Sequence, residues 1–295
     1  MAGRRGPRAI LAGLLVLVAL AGCSADPPQT APGPLRILLV DDNGYTAPGV
    51  TALRDALRAA GHTVVQVSPL RDRSSSGTAV TAAPTPVLAG PPTGDPGLWA
   101  VDGTATDATL VGLRAVMGAT PPDLVIVGVD PTPNVSLSAM HSGTVGAALA
   151  AAELGHPAIA VSTDLRDRPG PQPPAAFEPV ASFVVRLVET LSRRPVGAPL
   201  LPLQTALNVN YPGDTGGGVV AEPVATLPTS VLTYRAGDRP GTLVAVNSPG
   251  DPGLPDTDVS ALADGNVVLS DLTPSMDRTA PPPRTAVRVA PLLQP

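Results

Sequence analysis

Four short apolar runs, separated by longer amphipathic stretches, constrain this chain more than any other feature. They cover residues 35–40 (LRILLV), 63–67 (TVVQV), 123–129 (DLVIVGV) and 158–161. Each is too short for a helix, and none shows the strict polar/apolar alternation of a strand with one wet face. Such runs read as strands covered on both sides. The stretches between them read as helices. Pro48 opens the first, Val50, Leu53, Leu57 and Ala60 form its apolar side, and Gly61 stops it. Residues 108–117 read as a second helix. An Ala-rich segment over 143–154, closed by Gly155, is a third, and 181–192, with Val184, Leu187, Val188 and Leu191 on one side, is a fourth. Later strands fall at 207–211 and 266–270. Alternation of this kind predicts an α/β fold, a mainly parallel sheet with helices on both faces. Residues 70–97 read mostly as loop, and 213–258, punctuated by Pro and Gly, as a β or irregular extension.

The N-terminal residues point to a compartment. Arg4, Arg5 and Arg8 precede an apolar run over 10–20, too short to span a bilayer comfortably, which ends in Leu20-Ala21-Gly22-Cys23. This resembles a bacterial lipobox, in which Cys23 is lipidated and becomes the new N-terminus. Residues 1–22 then read as a lipoprotein signal peptide, 23–34 as a Pro-rich tether, and 35–295 as the folded domain. The expected place is extracytoplasmic, with the protein held to the bacterial cell membrane by its lipid anchor alone. Composition removes several classes of function. All 19 basic residues are Arg, against 24 acidic ones, and aromatics are 2% of the chain, which argues against binding nucleic acid. Without Lys there is no Schiff-base chemistry and no phosphate loop of the usual NTPase kind. With Cys23 as the single cysteine there is no internal disulfide and no Cys-based zinc site.

Chemistry concentrates where strands end. Asp41-Asp42-Asn43-Gly44 follows the first strand, Ser74-Ser75-Ser76-Gly77 lies beyond the second, and Asp130-Pro131-Thr132-Pro133-Asn134 follows the third. Open α/β sheets bind ligands beyond the carboxyl ends of their strands. Asp, Asn and Ser also make turns and caps, but their recurrence at three strand ends favours a site. A set of oxygen donors suits a hard divalent cation such as Mg²⁺, Mn²⁺ or Ca²⁺. Ser142-Gly143-Thr144 opens the Ala-rich helix, whose first N–H groups favour an anion, although Ser and Thr there also serve as caps. His141 stands beside this segment, where it is either a proton donor to a leaving group or a packing residue.

Two families share features of this beginning. The stretch ILLVDDN followed by ALRDALRAAGHTVV looks like a response-regulator receiver. That reading fails because the phospho-accepting position would fall on Gly128 and the required Lys is absent. The better match is to the SurE family of metal-dependent 5′/3′-nucleotidases. Its RILLxNDDGYxAPG pattern resembles residues 36–49, its AP-x₄-SG segment resembles 68–77, and its GTPxDCV resembles 103–109. Its PDLVxSGINxGxN resembles 122–134, its YSGTVxAA resembles 141–148, and its LNVNxP resembles 207–212.

The resemblance implies a three-layer, Rossmann-like SurE fold and hydrolysis of nucleoside 5′/3′-monophosphates by a metal-dependent phosphomonoesterase. It implies one divalent metal ion held by Asp42, Asn43, Ser76 and Asp130, with Ser74 as an alternative to Ser76 because residues are inserted there. The family uses two Asp, a Ser and an Asn, so a carboxylate is lost at Asn43 and one is gained at Asp130. Asp42 would act as ligand and general base, and Asn134, Ser142, Gly143 and Thr144 would hold phosphate. The alternative is a SurE-like lipoprotein that binds metal or nucleotide with little turnover. The family's C-terminal arm implies that 213–258 mediates a homodimer or tetramer.

Overall fold

The computed structural model describes residues 33–83, 89–92, 94–195, 198–213, 217–250, 254–274 and 284–294. The signal peptide, Cys23 and most of the tether lie outside them. The first half of the chain runs β1 (Arg36–Val40), α1 (Pro48–Ala59), β2 (Thr63–Pro69), β3 (Ala89–Gly90), β4 (Leu98–Val101), α2 (Ala105–Val111) and β5 (Leu124–Asp130). It continues with α3 (Gly143–Glu153), β6 (Ala158–Thr163), α4 (Glu178–Ser192), β7 (Ala206–Tyr211) and β8 (Val219–Ala221). The last elements are β9 (Ser230–Ala236), β10 (Leu243–Pro249), α5 (Asp258–Ala263), β11 (Val267–Leu272) and α6 (Thr285–Val289).

The main sheet has the order β3-β4-β2-β1-β5-β6-β7-β11-β8. From β4 to β7 every pairing is parallel, while β3 pairs antiparallel with β4 and β11 with β7. Adjacent residues of β1 feed opposite cores, which is why its sequence is apolar throughout. Ile37 and Leu39 pack with α1, α4 and α6, whereas Leu38 and Val40 pack with α2 and α3. Helices therefore cover both faces, and Asp41, Asp42 and Asn43 emerge at the carboxyl edge of the sheet. Helix α3 is small and apolar nearly all round, and its alanines let it lie close against β5 and β6.

The structure departs from the sequence reading in places. Strand β4 falls in a Pro- and Gly-rich neighbourhood that hides its short apolar pattern. Helix α2 starts earlier than expected, because Thr104 and Asp107 form a reciprocal capping box, and it continues through a π-helical turn over Gly112–Val116. The extension over 213–258 contributes β8 to the main sheet, while β9 and β10 form a separate antiparallel hairpin. Short helices α5 and α6 were not read from the sequence. Among the described residues no helix is long and apolar enough to cross a membrane.

Candidate active site

Strand β5 ends irregularly. Gly128 has φ +130°, a conformation that favours glycine, and the β5–β6 register shifts between Val127 and Asp130. The shift sets Asp130 opposite Ser162 at the sheet edge, where it shares a cavity of about 670 Å³ with Asp42 and Asn43. Ser142 and His141 line the same cavity, and Leu232 and Asn247 of the β9–β10 hairpin form its far wall. The base of the hairpin is tied down there: Thr229 N donates to Ser136 Oγ at 3.2 Å, and Asp258 accepts from Ser136 N and Ala225 N at 2.8 Å each.

The carboxylates are buried, and no cationic side chain among the described residues pairs with them. Asp42 is 1% exposed. Its Oδ1 accepts from Thr144 Oγ1 at 2.8 Å and its Oδ2 from Thr144 N at 3.1 Å. Burial, and then the charge of Asp130, push its pKa up to about 7, against the lowering effect of the Thr144 bond. Asp130 is also raised by burial, although Thr132 N and Thr132 Oγ1 donate to its Oδ1 at 2.8 Å and Asn134 Nδ2 donates to its Oδ2 at 3.0 Å. Asp41 is fully enclosed, and burial followed by the Asp42 charge raises it well above the usual carboxylate range.

Unpartnered oxygens surround these carboxylates. Ser76 Oγ and Asn43 Oδ1 are buried and have no hydrogen-bond partner among the described residues. Ser76 lies against Asp42 across Gly143: a Cβ at Gly143 would sit 2.6 Å from Asp42 Oδ2 and 2.9 Å from Ser76 Oγ. Ser74 is engaged differently, in bonds to Asp72 and Asn43. Buried polar atoms are rarely left unsatisfied, and two buried carboxylates in one cavity, with the charge of Asp130 raising the pKa of Asp42, call for a positive charge. Two carboxylates, an amide oxygen and a hydroxyl fit a hard divalent cation. No group of three or more His, Cys, Asp or Glu placed to hold a metal occurs among the described residues, so any such ion would rely on neutral oxygens as well.

The residues expected to hold phosphate divide. Ser142 lines the cavity, and because its Oγ accepts from Val145 N at 3.2 Å its hydroxyl hydrogen remains available to a ligand. Thr144 is turned away, with both its N–H and its hydroxyl on Asp42, and Gly143 is the small residue that lets Asp42 and Ser76 come together. Asn134 also lines the cavity, but both its amide hydrogens are engaged, on Asp130 Oδ2 and, at 2.8 Å, on Ser162 Oγ. In this arrangement Asn134 braces Asp130 and has no N–H free for phosphate.

Several contributors were not singled out from the sequence. Asn208 Nδ2 and Asn210 Nδ2 donate to the Asn134 carbonyl at 2.8 and 3.1 Å, and Asn210 Oδ1 accepts from Asn134 N at 2.8 Å. Their signal was present: polar residues two apart in an apolar strand share one face, and Asn has little reason to be buried there unless it holds something. Asp72, Thr132 and the hairpin wall left no such mark.

Comparison with known proteins places this geometry. The family described as "Survival protein SurE" matches residues 37–234. The 5′-nucleotidase SurE of Gloeobacter violaceus is 40% identical over 181 residues, which are 60% of this chain and 64% of that protein. The 5′-nucleotidase SurE of Thermosynechococcus vestitus is 32% identical over 256 residues, 81% of this chain and 91% of that protein. The chain thus spans just under two thirds of the first of these relatives and most of the second. The crystal structure of the SurE protein from Aquifex aeolicus superposes with a TM-score of 0.68 at 28% identity, covering 82% of this chain and 95% of that one.

Proposed function

The chain belongs to the SurE family, and from that membership and the donor set at the sheet edge we propose that it is a divalent-metal-dependent phosphomonoesterase acting on nucleoside 5′/3′-monophosphates. One observation carries the reading. Asp42 and Asp130 line the cavity, whereas none of its described lining residues is an Arg. A phosphate dianion is repelled from such a cavity unless a cation is held there first. Asp42, Asn43, Ser76 and Asp130 are the residues that would hold it, as one Mg²⁺ or Mn²⁺ ion, with Ca²⁺ also suited to oxygen donors.

The cation would supply neutralisation of the phosphoryl oxygens and a Lewis-acid centre for an in-line displacement. The chain's own residues do the rest. Thr144 fixes the Asp42 carboxylate in one orientation, and a carboxylate held so is suited to receive a proton from the attacking water. Ser142 Oγ–H is placed to donate to a phosphoryl oxygen. Asn134 keeps Asp130 in position through Nδ2. His141 lies on the cavity wall and is the proposed proton donor to the leaving oxygen. Leu232 and Asn247 offer an apolar and a polar group to the nucleoside.

Cys23 and the residues before it support an extracytoplasmic protein tethered by lipid. The hairpin supports self-association as a homodimer or tetramer: an isolated two-stranded ribbon is marginally stable, and this one exposes Val231, Leu232, Tyr234 and Leu243. The test is phosphate release from nucleoside monophosphates by protein stripped of metal and reloaded with Mg²⁺, Mn²⁺ or Ca²⁺. Release that needs the cation and disappears in Asp42→Ala and Asp130→Ala supports the proposal. Cation binding without release from any phosphomonoester would leave a binding protein of the same fold.

A further inference from the structure

Of the residues around the cation site, Asn43 poses a problem the others do not. A carboxylate presents an oxygen whichever way it is turned, but an amide has one acceptor end and one donor end. An Asn ligand therefore works only if its oxygen is fixed toward the ion. We propose that Ser74, itself held by Asp72, orients the Asn43 amide so that Oδ1, not Nδ2, faces the cation site. This rests on the reading of Asn43 as a cation ligand.

The direction of each bond carries the argument. Ser74 Oγ lies 2.6 Å from Asp72 Oδ1, and Ser74 N donates to the same oxygen at 2.8 Å. An ionised carboxylate only accepts, so the Ser74 hydroxyl hydrogen points to Asp72. The Ser74 oxygen is left with lone pairs and can only accept from Asn43. The group found there is Asn43 Nδ2, at 3.0 Å. The backbone of Asn43 is fixed independently, its N–H donating to Asp41 Oδ1 at 2.9 Å. One end of the amide is thus tied to Ser74, while the other, Oδ1, is buried with no partner among the described residues. Asp72 and Ser74 are positioning residues, and an Asp at position 43 would not need them.

That difference supplies the test. Mn²⁺ binding to the metal-free protein is measured by the electron paramagnetic resonance of unbound Mn²⁺ at fixed pH. The proteins compared are the native chain, Ser74→Ala, Asn43→Asp and the double variant, each checked for native melting. Ser74→Ala changes no charge and lies on the surface. It is expected to weaken Mn²⁺ binding roughly two- to tenfold in the native chain, the range of one net hydrogen bond, and to have almost no effect beside Asn43→Asp. An equal loss in both backgrounds would mean that Ser74 merely supports the loop, and no loss in the native chain would mean that the amide is oriented without it. Either result overturns the inference and leaves the cation reading standing. A native chain that binds no Mn²⁺ overturns both.

Discussion

Without a cation, Asp42 should make the folded protein less stable as pH rises. Its pKa is lifted from an ordinary 3.8 to about 7, first by burial and then by the Asp130 charge. A carboxyl group whose pKa is higher folded than unfolded holds its proton in the native state after the unfolded chain has released it. Stability therefore falls with pH between the two values, by about 1.4 kcal/mol per pH unit. From about pH 5 to pH 8 the loss is about 3 kcal/mol, because the fall levels off once the folded group has ionised near pH 7. For a domain of this size that is a drop in Tm of roughly 5–12 °C. Asp41 and Asp130, raised in the same direction, add to it. A bound cation reverses the sign, since it favours the ionised forms. The assay is thermal unfolding across this pH range with chelator and with excess Mn²⁺. The two curves should converge at the acid end and separate toward pH 8. Asp42→Asn should flatten the chelated curve and, at pH 8 without metal, melt above the native protein. A chelated Tm indifferent to pH, with an Mn²⁺ shift equally indifferent, would refute the assignment of the buried charge to this pair.

Other expectations follow from single contacts. Gly143→Ala deletes no donor, but its Cβ would meet Asp42 and Ser76 at 2.6–2.9 Å; it should cost about 1–3 kcal/mol by overpacking and weaken Mn²⁺ binding roughly 10- to 100-fold, and native affinity would contradict the geometry. Asn208→Ala removes a buried donor from the Asn134 carbonyl and should lower stability by about 1–3 kcal/mol in chemical denaturation, with cation affinity reduced as the Asp130 brace loosens. Leu232→Ala should raise KM for a nucleoside monophosphate roughly five- to tenfold and leave a small alkyl phosphate nearly unaffected. Equal effects on both substrates would remove the hairpin from the nucleoside side of the site.

The sheet was legible because apolar runs such as ILLV and LVIV are diagnostic where both faces are covered. Strand β4 was not, since four residues amid Pro and Gly carry too little pattern to separate strand from loop. At the site, the donors that follow β1 and β5 were legible from their place after a strand. Their hydrogen bonding was not, and it changes the account of Thr144 and Asn134. Thr144 looked like an anion-binding residue at a helix start, yet Asp42 is already the anion there. Asn134 looked like a phosphate ligand, yet Asp130 and Ser162 take both its hydrogens. Sequence spacing places a side chain near a site; only the partners around it decide which of its atoms remain for a ligand.

The pairing of Asn43 with Asp130 gives the sharpest test of whether the site is intact or eroded. The resemblance to the family implies that position 43 has lost a charge and position 130 has gained one. Erosion would leave the new residues poorly supported. Here both are among the best supported in the cavity: Asp130 accepts from Thr132 N, Thr132 Oγ1 and Asn134 Nδ2, and Asn43 is bound through N and Nδ2. If a divalent ion responds chiefly to the number of carboxylates facing it, the two positions must be coupled. Asp130→Asn alone leaves one carboxylate among the proposed donors and also sets a new amide beside Asn134 Nδ2; it should weaken Mn²⁺ binding at least roughly tenfold. Asn43→Asp added to it restores the count, and the double variant should recover most of that loss. The coupling appears as non-additivity in calorimetric Mn²⁺ titrations of the four proteins. A double variant as weak as Asp130→Asn would show that Asp130 serves the Thr132 turn instead of the ion, and that the charge lost at Asn43 was never replaced.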